Sequence, residues 1–496
     1  MRARRVILAA LFAAAALVRV IDAFRPLDRA SWRESDIGSI SRNFTREGMN
    51  PFYPRIDWRG NGPGFAEMEL PLYPWTIAVA YELFGFHDET GRIISMLLSL
   101  GVLAFFWFLA RDTLEPNEAV AAFAFFAFNP LIFEVSTAVQ PEGLTMFAYI
   151  AAVYFFARWT RTDRTSGLFA AAVFTSLSVL AKATSIHIGL LFAVLWLKKE
   201  GRAAFRNWRT YAFAAIALIP GIIWYAHAKN LWLTYGNSLG VSNEYHWIGL
   251  DFFTNPYFIN GILSNEIEWV WAGVGVIVAI AAVIFARREN AVSFSLMWFA
   301  SVLAFLVIAA RTTADDWANY YHVFAVGPAS LLIGIGAGRA ISIFAERDRR
   351  VLMRFVVPVA IVIISLAAFF YDLRSIRRLF LEHRALDPAF IEAQQIEPYL
   401  RRDGLILVSG GACVDRDGYA LAYNASYMFY WLGRKGFNIC SDRQTAAAVD
   451  EFRLRGAQYF VAQKSDLAKA PGFGALLDSK YPSVIETDEF VVFDLR

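Results

Sequence analysis

Eleven apolar runs separated by polar connectors organise this chain, and one long polar stretch interrupts their rhythm. The runs lie at about 6–24, 91–110, 119–139, 144–159, 168–183, 186–197, 211–226, 269–286, 291–310, 323–341 and 351–371. A membrane-crossing helix takes roughly 20 residues, so the longer runs predict full spans and the shorter ones spans with soft ends. Between the first two runs lies Ser31–Pro74, where Glu34, Asp36, Asp57, Glu67 and Glu69 sit among Trp32, Phe44, Phe52, Tyr53, Trp58 and Phe65. Nothing in this stretch is apolar for long enough to cross a bilayer, yet it is far more aromatic than a solvated linker. A polar, aromatic, Pro/Gly-punctuated segment on a membrane protein reads as a site.

The pattern changes again after Tyr371. Residues 405–409, 459–462 and 490–495 read as short buried strands, and 446–455 as an amphipathic helix. The predicted architecture is an all-α polytopic membrane protein of about 11 transmembrane helices over residues 1–371, including a first outer loop at 25–90. A small soluble α/β domain follows at 372–496.

Composition agrees with a membrane protein. Of 496 residues, 57% are hydrophobic and 18% charged, against roughly a quarter charged in soluble domains. The net charge of +3 is small, so its distribution carries the information. Basic residues gather at Arg2/Arg4/Arg5, Arg158/Arg161/Arg164, Lys198/Lys199/Arg202/Arg206/Arg209, Arg287/Arg288 and Arg347/Arg349/Arg350. By the positive-inside rule these face the cytoplasm, with the mildly acidic loop 111–118 as the exception. Ser31–Pro74, the Gln140 turn, 227–268, 311–322 and everything past Tyr371 then lie outside. The first run, flanked by Arg19 and Asp22 and without a clean cleavage site, predicts a retained helix ending in an amphipathic turn. Two cysteines, Cys413 and Cys440, exclude a disulfide-rich scaffold and leave a single disulfide or two buried thiols open. There is no internal repeat, no matched pair of broken helices and no basic nucleic-acid patch.

The segments WRESDIGSISRNF (32–44), ELPLYP (69–74), GRIIS (91–95), FNPLIFEVSTAVQPEGL (128–144), LAKAT (180–184), WYAHA (224–228) and NYYHVFAVGPA (319–329) together resemble GT-C-fold integral-membrane glycosyltransferases. The likeness is to the protein O-mannosyltransferase and aminoarabinose-transferase group, and it does not extend to the C-terminal domain. It implies transfer of a sugar from a polyprenyl-phosphate donor to an acceptor glycan, lipid or protein, with inversion, on the outer face of a bacterial inner membrane. The partners implied are that lipid-linked sugar, the bilayer and the acceptor, with no nucleic acid. A lipid or polysaccharide transporter without bond chemistry is the alternative, and a non-catalytic scaffold is a third reading.

The resemblance places a general base in the first outer loop. Asp36 is the expected base and Glu34 a second acid beside it; an Asp heading a membrane-lying helix also serves as an N-cap. Donor phosphate needs positive charge near the membrane surface. Lys182 and Arg92 are the expected phosphate ligands, with His227 and Lys229 beside them and snorkelling as the plain alternative. Glu69, Glu142, Tyr320, Tyr321 and His322 are the expected substrate-binding residues. No cofactor is implied with certainty. Some relatives hold a divalent metal, and Glu69 with His227 or His246 supplies two candidate ligands; a solvated acid is the plain reading of Glu69.

Overall fold

The computed structural model of the protein describes residues 2–241, 248–286, 289–345, 352–411, 425–469 and 471–496. The chain divides into two compact units: one holds residues 1–24, 92–223 and 243–383, the other 25–91, 224–242 and 384–496.

The first ten helices are α1 (Arg2–Ala23), α2 (Trp32–Glu47), α3 (Leu72–Phe84), α4 (Thr90–Thr113), α5 (Pro116–Ala127), α6 (Pro130–Glu134), α7 (Glu142–Thr162), α8 (Thr165–Ala181), α9 (Ile188–Glu200) and α10 (Trp208–Tyr235). Long helices follow at Asn290–Ile308, Val323–Ala345 and Leu352–Glu382. Among the described residues six helices are long and apolar enough to cross a bilayer, and Pro256–Val270 with Gly275–Ala286, bent by 89°, makes a seventh if counted as one span. The protein is a multi-pass membrane protein.

The expected span at 119–139 is two helices. Pro130 has no N–H to continue α5, and the residue before a proline is pushed out of helical geometry. Asn129 uses that break: its side-chain oxygen accepts from the Leu131 and Ile132 amides, and its Nδ2 donates to the Trp269 carbonyl at 2.9 Å. The last long helix runs past the expected boundary at Tyr371 to Glu382.

The core of the first unit is aromatic and close-packed. Phe106 stacks on Phe126 with centroids 3.8 Å apart, and Phe156 on Phe192 at 4.1 Å. The helix Val323–Ala345 lies so near α5 that a Cβ on Gly334 would fall 2.4 Å from the Ala122 Cβ, and one on Gly338 2.4 Å from the Glu118 Cα. This is the small-xxx-small contact by which membrane helices bring their backbones together.

In the second unit a five-stranded sheet has the order β2-β1-β3-β5-β4. Its strands are β1 (Leu405–Ser409), β2 (Gly436–Ile439), β3 (Ala457–Gln463), β4 (Ser483–Glu486) and β5 (Phe490–Asp494). The β2, β1 and β3 strands run parallel, while β5 is antiparallel to both β3 and β4. The expected strands and the expected helix, found at Ala446–Leu454, are present. The sequence reading missed β2 and β4, which are four-residue edge strands.

The open edge of β2 is covered by the first loop. Gly436 N–H donates to the Asp57 carbonyl at 3.1 Å, and Gly60 N–H to the Gly436 carbonyl at 2.6 Å. Covering an edge strand removes a row of unpaired backbone groups. Gly60 has φ +61°, and a Cβ there would fall 2.1 Å from the Phe437 ring, so the loop reaches the strand only with glycine. Cys440, just after β2, is disulfide-bonded; Cys413, the other cysteine of the sequence, lies outside the described residues.

Candidate active site

Helix α2 carries the expected base, and its surroundings differ from expectation. A helix lying on a membrane would bury one face; instead every residue from Glu34 to Phe44 is buried. Gly38 explains the close wrapping: a Cβ there would lie 2.7 Å from the Tyr430 ring and 2.9 Å from Leu27. Ser31 caps the helix by accepting from the Glu34 amide, and Gly48 closes it. Asp36 is one turn inside the helix, so it is not an N-cap.

The acids singled out in the first loop find different partners. Arg42 Nη2 donates to Asp57 at 2.9 Å, and Asn43 Nδ2 donates to its other oxygen at 2.8 Å. Glu69, expected as a solvated acid, is buried and ion-paired with Arg33. Glu67 is buried and accepts from the Ser238 hydroxyl at 2.5 Å. Glu34 is buried beside the cap. Asp36 is the exception. Its Oδ1 accepts from the Trp58 indole N–H at 3.0 Å, and its Oδ2 has no hydrogen-bond partner among the described residues. Burial pushes its carboxyl up to about 7, against the Trp58 N–H and the Arg33 charge, which pull it down.

His227 Nε2 lies 2.8 Å from the Phe52 carbonyl, boxed by the rings of Phe52, Tyr53 and Trp224. Lys229 is exposed. His246 lies outside the described residues. Among the described residues no group of three or more His, Cys, Asp or Glu side chains is placed to hold a metal ion.

In the first unit, four expected residues meet. Lys182 ends α8 in extended geometry, and its ammonium pairs with Glu142 at the start of α7. The same ammonium lies 4.5 Å from the Tyr320 ring centroid and 4.2 Å from that of Tyr321. A cation over aromatic faces is held electrostatically as well as by its carboxylate. Lys182 is therefore not a snorkelling residue. Nor is Arg92, which is fully buried and donates to the Thr137 carbonyl at 3.1 Å. His322 sits apart from the tyrosines' cluster. It is fully buried, with Nδ1 2.7 Å from Glu266 and Nε2 2.9 Å from the Thr313 carbonyl.

The sequence reading missed a buried polar knot in this unit. Asp22 accepts from the Thr137 hydroxyl and lies 2.8 Å from His383 Nδ1, while Arg19 donates to the Ala127 carbonyl at 2.8 Å. Both α1 residues, read as an amphipathic end, are buried. The signal was there: Arg and Asp inside an apolar run seldom stay unless they face other polar groups. Trp58 was noted only as aromatic content, and its N–H is what orients Asp36.

With this geometry in place, the comparisons narrow the fold. Residues 68–225 match the family of dolichyl-phosphate-mannose-protein mannosyltransferases. No curated protein matches the sequence. Among solved structures, ArnT from Cupriavidus metallidurans bound to undecaprenyl phosphate is similar, with a TM-score of 0.64 and 15% identity over 98% of each chain. The archaeal oligosaccharyltransferase AglB from Archaeoglobus fulgidus, in complex with an inhibitory peptide and a dolichol-phosphate, gives 0.56 at 10% identity over 96% of this chain and 72% of that one. The mycobacterial arabinofuranosyltransferase AftD gives 0.58 at 12% identity over 98% of this chain and 40% of that one. The chain has the GT-C fold, and its segment 68–225 carries the sequence pattern of the dolichyl-phosphate-mannose-protein mannosyltransferases.

Proposed function

We propose that the protein is an integral-membrane glycosyltransferase that moves a sugar from a polyprenyl-phosphate carrier to an acceptor hydroxyl, with inversion. The observation that carries this reading is Asp36: burial raises its carboxyl to about 7, its Oδ1 accepts from Trp58, and its Oδ2 has no hydrogen-bond partner among the described residues. A base poised near the working pH combines availability with driving force for proton removal. In the proposed step the acceptor oxygen attacks the anomeric carbon and its proton passes to Asp36 Oδ2. The bond between the anomeric carbon and the phosphate oxygen breaks, and the lipid phosphate leaves with that electron pair. Asp36 is closed to bulk water in this structure, so the reading requires local opening when the acceptor binds.

Lys182 is the proposed phosphate ligand, with Glu142 and the two tyrosines fixing its ammonium. The similarity to ArnT with undecaprenyl phosphate and to AglB with a dolichol-phosphate supports a polyprenyl-phosphate donor class. Arg92 is proposed to hold the 137 carbonyl rather than phosphate. Glu34 and Glu69 act through their neighbours, Glu69 by holding Arg33 beside Asp36. The acting face is the outer one of a bacterial inner membrane, as the basic loops favour.

The test is to incubate purified protein with a panel of polyprenyl-phosphate sugars and follow release of lipid phosphate. Release that needs both an acceptor and Asp36 supports the reading. Carrier movement across vesicles with no bond cleavage overturns it in favour of transport. A periplasm-dependent reporter fused after Arg496 should be active, and a silent one overturns the assigned face.

A further inference from the structure

A cleft in the second unit shares Trp58 with the proposed base. It encloses about 370 Å³, within the range of small-molecule sites. Trp58, Tyr235, Phe437 and Phe452 contribute ring surface, and Asn438 and Arg455 contribute polar edges. Among the described residues no Asp or Glu lines it.

The parts are fixed in place. Arg59, also in the lining, pairs with Glu47 at 2.7 Å and donates to the Pro63 carbonyl at 2.6 Å, which sets the turn at one rim. At the other rim, the Arg455 carbonyl accepts from Asn61 Nδ2 at 2.8 Å. Its guanidinium lies over the Phe437 and Phe452 rings at 4.7 and 5.1 Å, with its side chain 53% exposed. Tyr235, 40% exposed, stands at the mouth. Trp58 belongs to two places at once: it lines the cleft, and its indole N–H donates to Asp36.

We propose that this cleft binds a saccharide unit of the acceptor, an assignment that rests on the transferase reading above. A pyranose has an apolar C–H face and a rim of hydroxyls. Aromatic rings match the face, and amide and guanidinium groups match the rim, since together they donate and accept. A lipid chain would match the rings but not the polar edges of Arg455, which also pairs with Glu451 at 3.6 Å, and of Asn438, which would lose water on its account. Arg455 and Arg59 line the cleft with their charges partly met by Glu451 and Glu47, a balance that favours a neutral or weakly anionic sugar over a cationic one. The link through Trp58 then couples acceptor occupancy to the carboxylate that takes its proton.

The test uses the full-length protein in detergent and saturation-transfer NMR, with cellobiose, digalacturonic acid and an uncharged tetrapeptide as probes. No turnover is needed. Saturation of either disaccharide, reduced at least severalfold in Arg455→Ala and in Tyr235→Ala at unchanged thermal stability, is the expected result. Both substituted residues are partly exposed, and the unchanged melting temperature is what shows that the fold is kept. Saturation of the peptide alone, of no probe, or of a sugar equally in wild type and both variants overturns the inference. Sugar binding in a protein that releases no lipid phosphate from any donor would leave the cleft assignment standing and sink the transferase reading. Turnover without sugar binding would do the reverse.

Discussion

Two buried carboxylates, Asp36 in one compact unit and Glu142 in the other, were expected to serve the same reaction, and their surroundings assign them different work. Glu142 touches an ammonium that is itself wedged against two tyrosine rings. Asp36 accepts from the Trp58 indole N–H, and burial pushes its carboxyl up to about 7 against that bond, the Arg33 charge and the Ser426 hydroxyl. A carboxylate bonded to an ammonium fixes that cation in place. One whose burial outweighs the pull of a nearby cation is driven toward its protonated form, and so becomes able to exchange a proton near neutrality.

The contrast breaks most visibly at Asp36. Asp36→Asn removes the proton acceptor while keeping shape, and turnover should fall roughly 100- to 10,000-fold with donor binding intact. Stability should move the other way. A carboxyl whose folded pKa is raised favours the fold below its unfolded pKa of 3.8 and loses that contribution as pH rises through about 7. The amide has no such loss, so the variant should melt at or above the wild-type temperature at pH 8 and show least gain near pH 4. An inactive variant that also melts lower at pH 8 would make Asp36 a structural residue.

Next comes the anchor. Lys182→Ala should weaken polyprenyl-phosphate binding by the about 1.5–3 kcal/mol of a charge-assisted contact, or roughly 10- to 150-fold. Breaking a buried pair also destabilises by about 3–5 kcal/mol. The Lys182→Ala, Glu142→Gln double variant separates these effects: it should recover melting temperature and not donor affinity. Recovery of both would reduce the pair to scaffolding.

A smaller effect is the pH profile. With Asp36 near 7, turnover at saturating substrate should rise about tenfold between pH 6 and pH 8, and a flat profile would detach the carboxyl from the rate. Smallest of all is Trp58→Phe. Loss of the N–H removes the hydrogen bond that lowers the Asp36 pKa. The midpoint should move to higher pH, lowering turnover at pH 7 by roughly two- to fivefold. Unchanged midpoints in Trp58→Phe would mean that the indole does not set the carboxyl.

These differences were only partly legible in the chain. Apolar periodicity placed the long helices, and Glu142, Lys182, Tyr320 and Tyr321 were picked out before their contact was seen. Burial of α2 was not legible, because its sequence is polar on average and it is the Tyr430 ring and Leu27 that enclose Gly38. The Tyr430 contact joins residues nearly four hundred positions apart, beyond any local pattern. The burial of Arg92 was hidden for a related reason: a cation at the start of an apolar run looks the same whether it reaches for headgroups or for a carbonyl. The break at Asn129-Pro130 was readable, and the apolar residues around it concealed it.

The strap of first-loop backbone along β2 sets an order of events during synthesis. Asp57 and Gly60 bond to Gly436, and Trp431 Nε1 donates to the Leu27 carbonyl at 2.8 Å across 404 positions. A ribosome adding roughly 5–20 residues per second needs on the order of 20–80 s to travel that distance. For that interval α2 lacks its walls, and Asp36 is an ordinary wet carboxylate. The nascent membrane helices thus pass through the bilayer's insertion machinery before the proposed base acquires its near-neutral titration, and the last fifth of the chain acts as the timer for a loop made near its beginning.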